Sequence, residues 1–255
     1  MNKKIAIITG ASGGIGKAFT KLMLSESVDE IWAIARNQDK LTELRNEFGE
    51  KVITISKDLT KSSELNSINN ILENEKPAIA YLINNAGIAK AGSYNDFSVE
   101  EIEATISINC NALAVLCSLC IPYMSKGSRI LNISSAAAFQ PLPYLNLYSA
   151  TKVFARNYSR SLNIELMGTG ITSSAVCPSW VDTDLLQREV NGKPTKFPGI
   201  VSAERVATKA LKDAKKGKDM SVCTLYVKYE HLLAKLFPQK MAMHTWVLRN
   251  KQYIE

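Results

Sequence analysis

Histidine is almost missing from this sequence: His231 and His244 are the only two among 255 residues. Two imidazoles that far apart, with no cysteine pair beside either, cannot assemble the ligands of a zinc site, so no metal centre is expected. Cysteine is scarce and odd in number, at Cys110, Cys117, Cys120, Cys177 and Cys223, without metal-type spacing. Cys117 and Cys120 fall inside an apolar helical pattern, which reads as buried reduced thiols. A cytoplasmic location is the expectation that follows. At the N-terminus the apolar run Ile5-Ala6-Ile7-Ile8 is too short for a membrane span, and no small-residue cleavage site follows it. Internal repeats, low-complexity tracts and linkers are absent. So is any basic segment interleaved with aromatics, which argues against a nucleic-acid partner.

What is present is apolar residue, 46% of the chain, at a length that suits one α/β domain with a large core. A single domain over 1–255 is expected. The net charge of +7 is concentrated: residues 201–255 hold eleven Lys/Arg against five Asp/Glu. Such a basic region can meet an anionic substrate, a membrane surface or nucleic acid, or serve solubility alone. Peripheral membrane contact is permitted by this charge but not favoured.

Residues 3–9 read as a strand covered on both faces, because Ile5, Ala6, Ile7 and Ile8 run without alternation. Thr9-Gly10-Ala11-Ser12-Gly13-Gly14-Ile15-Gly16 follows, then a helical pattern over 17–25. Strand, glycine-rich turn and helix in that order form a phosphate cradle: glycines admit the backbone to a pyrophosphate, and the helix start presents free N–H groups. A second strand over 30–35 ends at Arg36 with no acid beside it. An acid at this strand end binds a ribose 2′-hydroxyl, whereas an arginine accommodates a 2′-phosphate. NADP(H) is therefore favoured over NAD(H).

Further along, 40–48 reads as helix and 52–56 as strand, with Asp58-Leu59 at its end, where a carboxylate can reach an adenine amino group. Residues 60–75 read as helix and 78–83 as strand, closed by Asn84-Asn85-Ala86-Gly87. A long apolar helix over 99–120 carries Asn109, an amide that needs a partner there. Strand 129–134 precedes Ser135, helix 146–167 opens with Tyr148, and strand 171–177 ends at Pro178. Alternating strands and helices predict a doubly wound, mostly parallel sheet with helices on both faces. Tyr148 and Lys152 stand at i and i+4, on one helix face. A nearby ammonium favours the phenolate and draws the phenol toward working pH, which makes the pair a plausible acid/base device. Alone, the spacing is a weak signal, and a surface tyrosine packed along a lysine stem is the commoner case.

Together, Thr9-Gly10-x3-Gly14-x-Gly16, Asp58, Asn84-Asn85-Ala86-Gly87, Asn109, Ser135, Tyr148-x3-Lys152 and Pro178 through Thr183 resemble the short-chain dehydrogenase/reductase family, in its compact single-domain branch. The resemblance covers residues 3 to about 185. It implies a Rossmann-type fold and NAD(P)(H)-dependent interconversion of a ketone or aldehyde with an alcohol. By it, Tyr148 is the general acid/base, Lys152 lowers its pKa and binds the nicotinamide ribose, and Ser135, thirteen residues upstream, polarises the carbonyl. Ser134 is the less favoured serine by that spacing. Asn109 is implied to hold a water that links Lys152 to solvent. Gly10, Ser12, Gly14, Ile15 and Gly16 fall to the pyrophosphate. Arg36, Asp58, Leu59, Asn85, Ala86 and Gly87 fall to the adenosine and ribose. Pro178, Val181 and Thr183 fall to the nicotinamide end. A homodimer or homotetramer is implied as well.

Two departures matter. Pro178-Ser179-Trp180 replaces the family's usual Pro-Gly, which adds bulk at the substrate entrance. The chain also lacks the Asp-Gly-Gly type ending of bacterial 3-oxoacyl-carrier-protein reductases. Residues 185–200 read as a substrate loop and lid. Residues 224–255 form an extension in which Tyr229, Leu232, Leu233, Leu236 and Phe237 make one apolar stripe. Packing against the core or a partner is favoured for it over a substrate wall or membrane-facing element. Two other functions stay open: a catalytically silent NADP(H)-binding regulator, and a basic-surface membrane or nucleic-acid binder.

Overall fold

The computed structural model describes residues 2–186, 188–190, 193–195 and 197–250. Strands and helices alternate along the chain. β1 (Lys4–Thr9), β2 (Glu30–Ala35), β3 (Val52–Ser56) and β4 (Ala78–Asn84) are linked through α1 (Gly14–Met23), α2 (Gln38–Phe48) and α3 (Ser62–Glu75). Then come α4 (Val99–Ile106), α5 (Ala112–Cys120), β5 (Met124–Ile133), α6 (Asn146–Glu165) and β6 (Thr172–Cys177). Beyond them lie the two-residue strands β7 (Val181–Asp182), β8 (Glu189–Val190), β9 (Lys193–Pro194) and β10 (Val201–Ser202). α7 (Ala203–Lys215), β11 (Met220–Val222), α8 (Leu225–Leu236) and α9 (Gln239–Arg249) complete the described chain.

The main sheet has seven parallel strands in the order β11-β6-β5-β4-β1-β2-β3. Strands buried on both faces explain the unbroken apolar runs. In β1, Ala6 and Ile8 join one core with α1, α2 and α7, while Ile5 and Ile7 join the other with α3, α5 and α6. The strand order reverses between β1 and β4. At such a reversal the connections diverge to opposite faces and leave a crevice at the carboxyl ends of the strands.

Several expected elements differ in detail. The helix expected over 99–120 is interrupted by a π turn, Ser107–Asn111, between α4 and α5. The helix expected from 60 begins at Ser62, with Lys61, whose side chain has no acceptor, at the N-cap position, while Thr60 donates to Asp58. α1 begins at Gly14, three residues earlier than its apolar pattern. The 185–200 segment, expected as an irregular loop, holds the antiparallel pair β8–β9. The extension is two helices on either side of Pro238, the residue at which its sequence pattern is interrupted.

Candidate active site

At the crevice the glycine-rich turn is braced from β4. Thr9 Oγ1 accepts hydrogen bonds from the backbone N–H of Asn85 (3.0 Å) and of Ala86 (2.9 Å). The Asn85 amide donates back to the carbonyls of Thr9 and Gly10, both at 3.1 Å. Sequence reasoning assigned Asn85 to the adenosine and ribose. In the structure its Nδ2 donors hold the cradle itself in shape. Gly16 is forced by close approach: a Cβ there would lie 2.1 Å from the Gly10 carbonyl oxygen. α1 starts with no side-chain cap, so its first-turn N–H groups are left for a ligand. Thr183 closes over the same helix start, with its Cγ2 2.9 Å from where a Gly14 Cβ would stand.

Toward the far edge, Arg36 is exposed at the end of β2. Asp58 is half-buried beyond β3, its Oδ1 accepting from Thr60 N (3.1 Å) and Thr60 Oγ1 (2.8 Å). Burial raises the Asp58 pKa, but the Thr60 hydrogen bonds and the charges of Arg36 and Lys61 outweigh it and hold the carboxyl below its usual range. Leu59 is packed in the core, which leaves only its backbone to a ligand. This donor set fits a dinucleotide: free N–H groups and a glycine cradle for a pyrophosphate, then a cation and an ionised carboxylate at the adenosine end.

On the other side of the crevice, β5 delivers two serines with different fates. Ser134 is buried and donates to the Lys152 carbonyl at 2.7 Å, a structural tie between β5 and α6. Ser135 faces a cavity of about 620 Å³ together with Tyr148 and Lys152. Ser135 Oγ accepts from Ala137 N (3.1 Å), which leaves its own proton available to donate. Ser135 also acts on the Tyr148 phenol, lowering its pKa.

Lys152 is buried, with its Nζ 5.6 Å from the centre of the Tyr148 ring and donating to the Ile133 carbonyl at 2.9 Å. Burial drives its pKa down to about 8. The same burial raises the Tyr148 phenol, and Ser135 only partly offsets this. Desolvation is the leading influence on both groups, lowering the Lys152 ammonium and raising the Tyr148 phenol.

Asn109 sits in the π turn and is buried. Its Nδ2 donates to Ile88 O (2.9 Å) and Thr151 Oγ1 (3.0 Å), and its Oδ1 accepts from Ile88 N (3.0 Å). The amide thus has its partners and fixes the segment after β4 against α6. At Gly87 a Cβ would stand 2.9 Å from Asn109 Oδ1 and 3.4 Å from Lys152 Nζ, so only glycine fits between them.

The cavity gathers Ile15, Asn85, Gly87, Ser135, Tyr148, Lys152, Pro178, Val181 and Thr183. Arg36, Asp58 and Leu59 lie apart from it, at the strand ends of the adenosine side. Its outer wall is less legible in the sequence. Trp180 packs on Phe197 (centroids 5.3 Å) and stacks near Trp246 of α9 (6.5 Å, 21° between planes). Trp246 Nε1 donates to Pro143 O at 3.0 Å, which pins α9 beside the segment before Tyr148. The bulk at Ser179-Trp180 therefore builds a roof. Met241, Ala242, Thr245 and Trp246 line the cavity from α9, a face that sequence reasoning missed although its i, i+1, i+4, i+5 spacing was there. The expected stripe on α8 divides: Leu233 and Phe237 face the cavity, while Tyr229, Leu232 and Leu236 face solvent.

Crevice, cradle and serine–tyrosine–lysine cluster define a nicotinamide-dependent oxidoreductase of the Rossmann type. The chain belongs to the short chain dehydrogenase family, which it matches over residues 4–194. A ketoacyl reductase of Nostoc sp. is 30% identical over 217 residues, 83% of this chain and 75% of that protein. Among solved structures, a short-chain dehydrogenase from Sphingobium yanoikuyae in complex with NADPH is 27% identical with a TM-score of 0.77, covering 92% of this chain and 93% of that one. A bulky-bulky ketone specific alcohol dehydrogenase from Comamonas testosteroni is 26% identical with a TM-score of 0.75, covering 91% of each chain.

Proposed function

We propose that the protein is an NADP(H)-preferring oxidoreductase that interconverts a lipophilic ketone or aldehyde and its alcohol, with Tyr148 as general acid/base. The observation that carries this reading is the meeting of Ser135, Tyr148 and Lys152 in one largely apolar cavity that opens onto the glycine cradle. Preference for the 2′-phosphate rests on Arg36, free of any carboxylate partner within ion-pair distance among the described residues. The relative solved with NADPH and the relative specific for bulky ketones are in keeping with both parts.

The nicotinamide, when bound, supplies or takes up the hydride. As a carbonyl is reduced, negative charge grows on its oxygen, and a donor already in place stabilises that charge. Ser135 donates its free proton in a hydrogen bond to that oxygen. The Tyr148 hydroxyl transfers its proton there, and its raised pKa keeps that proton available at neutral pH. Lys152 would hold the ribose, and its ammonium, 5.6 Å from the centre of the Tyr148 ring, stabilises the phenolate left behind until the phenolate takes a proton back from solvent. Val181 and Thr183 orient the carboxamide, and the uncapped start of α1 takes the pyrophosphate. The expected assembly is a homo-oligomer, for which the exposed apolar residues Val99 and Ile106 of α4 and Ile164 of α6 offer a surface.

A panel of carbonyl compounds, followed by NADPH and NADH oxidation, tests the reading. Turnover with bulky lipophilic ketones is expected, with a higher kcat/KM for NADPH. Tyr148→Phe is expected to lose about 10²–10⁴-fold in kcat while still binding NADPH. A kcat/KM for NADH equal to that for NADPH would remove the Arg36 argument. No turnover with any carbonyl would favour a silent NADP(H)-binding regulator.

A further inference from the structure

α8 is apolar on two faces. One face lines the cavity. On the other, Leu225, Tyr229, Leu232 and Leu236 are 81%, 59%, 51% and 68% exposed. At about 100° per residue these four fall within an arc of about 60°, a single stripe along the helix. Lys228 and Lys235 run along one edge of it, exposed and without ion pairs among the described residues. Globular proteins seldom leave so many large apolar side chains aligned in water, so such a face has an occupant.

The cavity mouth adjoins this face. Leu185, Tyr226, Phe237 and Met241 line the cavity and are also exposed, so the rim is apolar out to solvent. We infer that the outer face of α8 docks on an anionic lipid surface and brings the cavity mouth to the apolar phase. Charge selects this occupant. Lys228 and Lys235 edge the stripe, whereas Glu230, the one carboxylate of α8, falls about 130° around the helix from the stripe's centre. Two copies joined face to face would oppose like charges, whereas anionic headgroups attract this surface and the apolar stripe enters the acyl boundary. The docking stands on the stripe and the lysines. Only its link to substrate entry rests on the proposed carbonyl chemistry.

Co-sedimentation of the full chain with phosphatidylcholine vesicles containing phosphatidylglycerol, against phosphatidylcholine alone, tests it. The protein is expected to pellet with the anionic vesicles only. Lys228→Gln/Lys235→Gln should weaken partitioning by about thirtyfold. Leu232→Ser/Leu236→Ser should abolish it while NADPH binding, a check on folding, is kept. The proposal is overturned if the wild type stays in the supernatant, or if the leucine variant pellets equally. It is also overturned if sedimentation velocity finds a dimer that the leucine variant dissociates, which would give the face to a second copy. Pelleting is read without turnover, so failure of the carbonyl panel leaves this result standing, and the reverse.

Discussion

Lys152 occupies a place that folding alone would not choose for an ammonium. Among the described residues its Nζ hydrogen-bonds only to the Ile133 carbonyl, and burial lowers its pKa from 10.5 to about 8. Below pH 8 both folded and unfolded states hold the proton, and the burial penalty is present in full. Between the two values the unfolded chain binds more protons, so stability rises with pH; above 10.5 the penalty is gone. The shift corresponds to about 3 kcal/mol. Lys152→Met is therefore expected to raise the melting temperature at pH 7 and to flatten its rise between pH 8 and 10, with turnover nearly lost. Melting curves of both proteins across that range check it; parallel curves would sink the idea. Other residue assignments divide by whether the role is local. Ser135 over Ser134 rested on the family's spacing of thirteen residues to Tyr148, while in the structure the Ser134 hydroxyl is taken up by the Lys152 carbonyl. Asn85 and Asn109 were not, because their partners, Thr9, Gly10, Ile88 and Thr151, are brought in only by the sheet and the π turn.

Among elements, α9 decides the shape of the cavity although it buries none of its residues fully. It is held by the Trp246 hydrogen bond to Pro143 and by the aromatic contact with Trp180. Trp246→Phe keeps a ring and removes the N–H. One such hydrogen bond is worth about 1 kcal/mol, so KM for a bulky ketone should rise about fivefold with NADPH affinity unchanged. Steady-state kinetics on one bulky and one small carbonyl would show it; an equal change for both would argue that α9 does not shape the pocket. The strand 30–35 was legible residue for residue because two buried faces write a continuous apolar run, and the edge strand 52–56 was legible from its β-branched Val52, Ile53, Thr54 and Ile55. α9 was not, since a helix packed on a cavity, rather than on a core, carries a weak apolar pattern.

At the scale of the whole molecule, the family match ends at residue 194, yet the core does not. α7 places Val206, Ala207, Ala210 and Ala214 against Ala18 and Phe19 of α1, and β11 completes the seven-stranded sheet. Residues 203–222 thus belong to the dinucleotide-binding body, while α8 and α9 lie outside it, with Val227 their one fully buried side chain. A chain ending at Thr224 is expected to fold and bind NADPH, to show a raised KM for lipophilic ketones, and to lose vesicle pelleting. Circular dichroism and NADPH titration establish the first two; an insoluble truncate or an unchanged KM would contradict the division.

The aromatic roof also gives the protein an optical reporter. Of its three tryptophans, Trp32 is buried in β2 with its Nε1 donating to Glu30 at 3.0 Å, whereas Trp180 and Trp246 stand over the cavity. In a Trp32→Phe background every indole photon would come from the roof. Emission wavelength and quenching would then register how that roof meets each ligand, with no label attached.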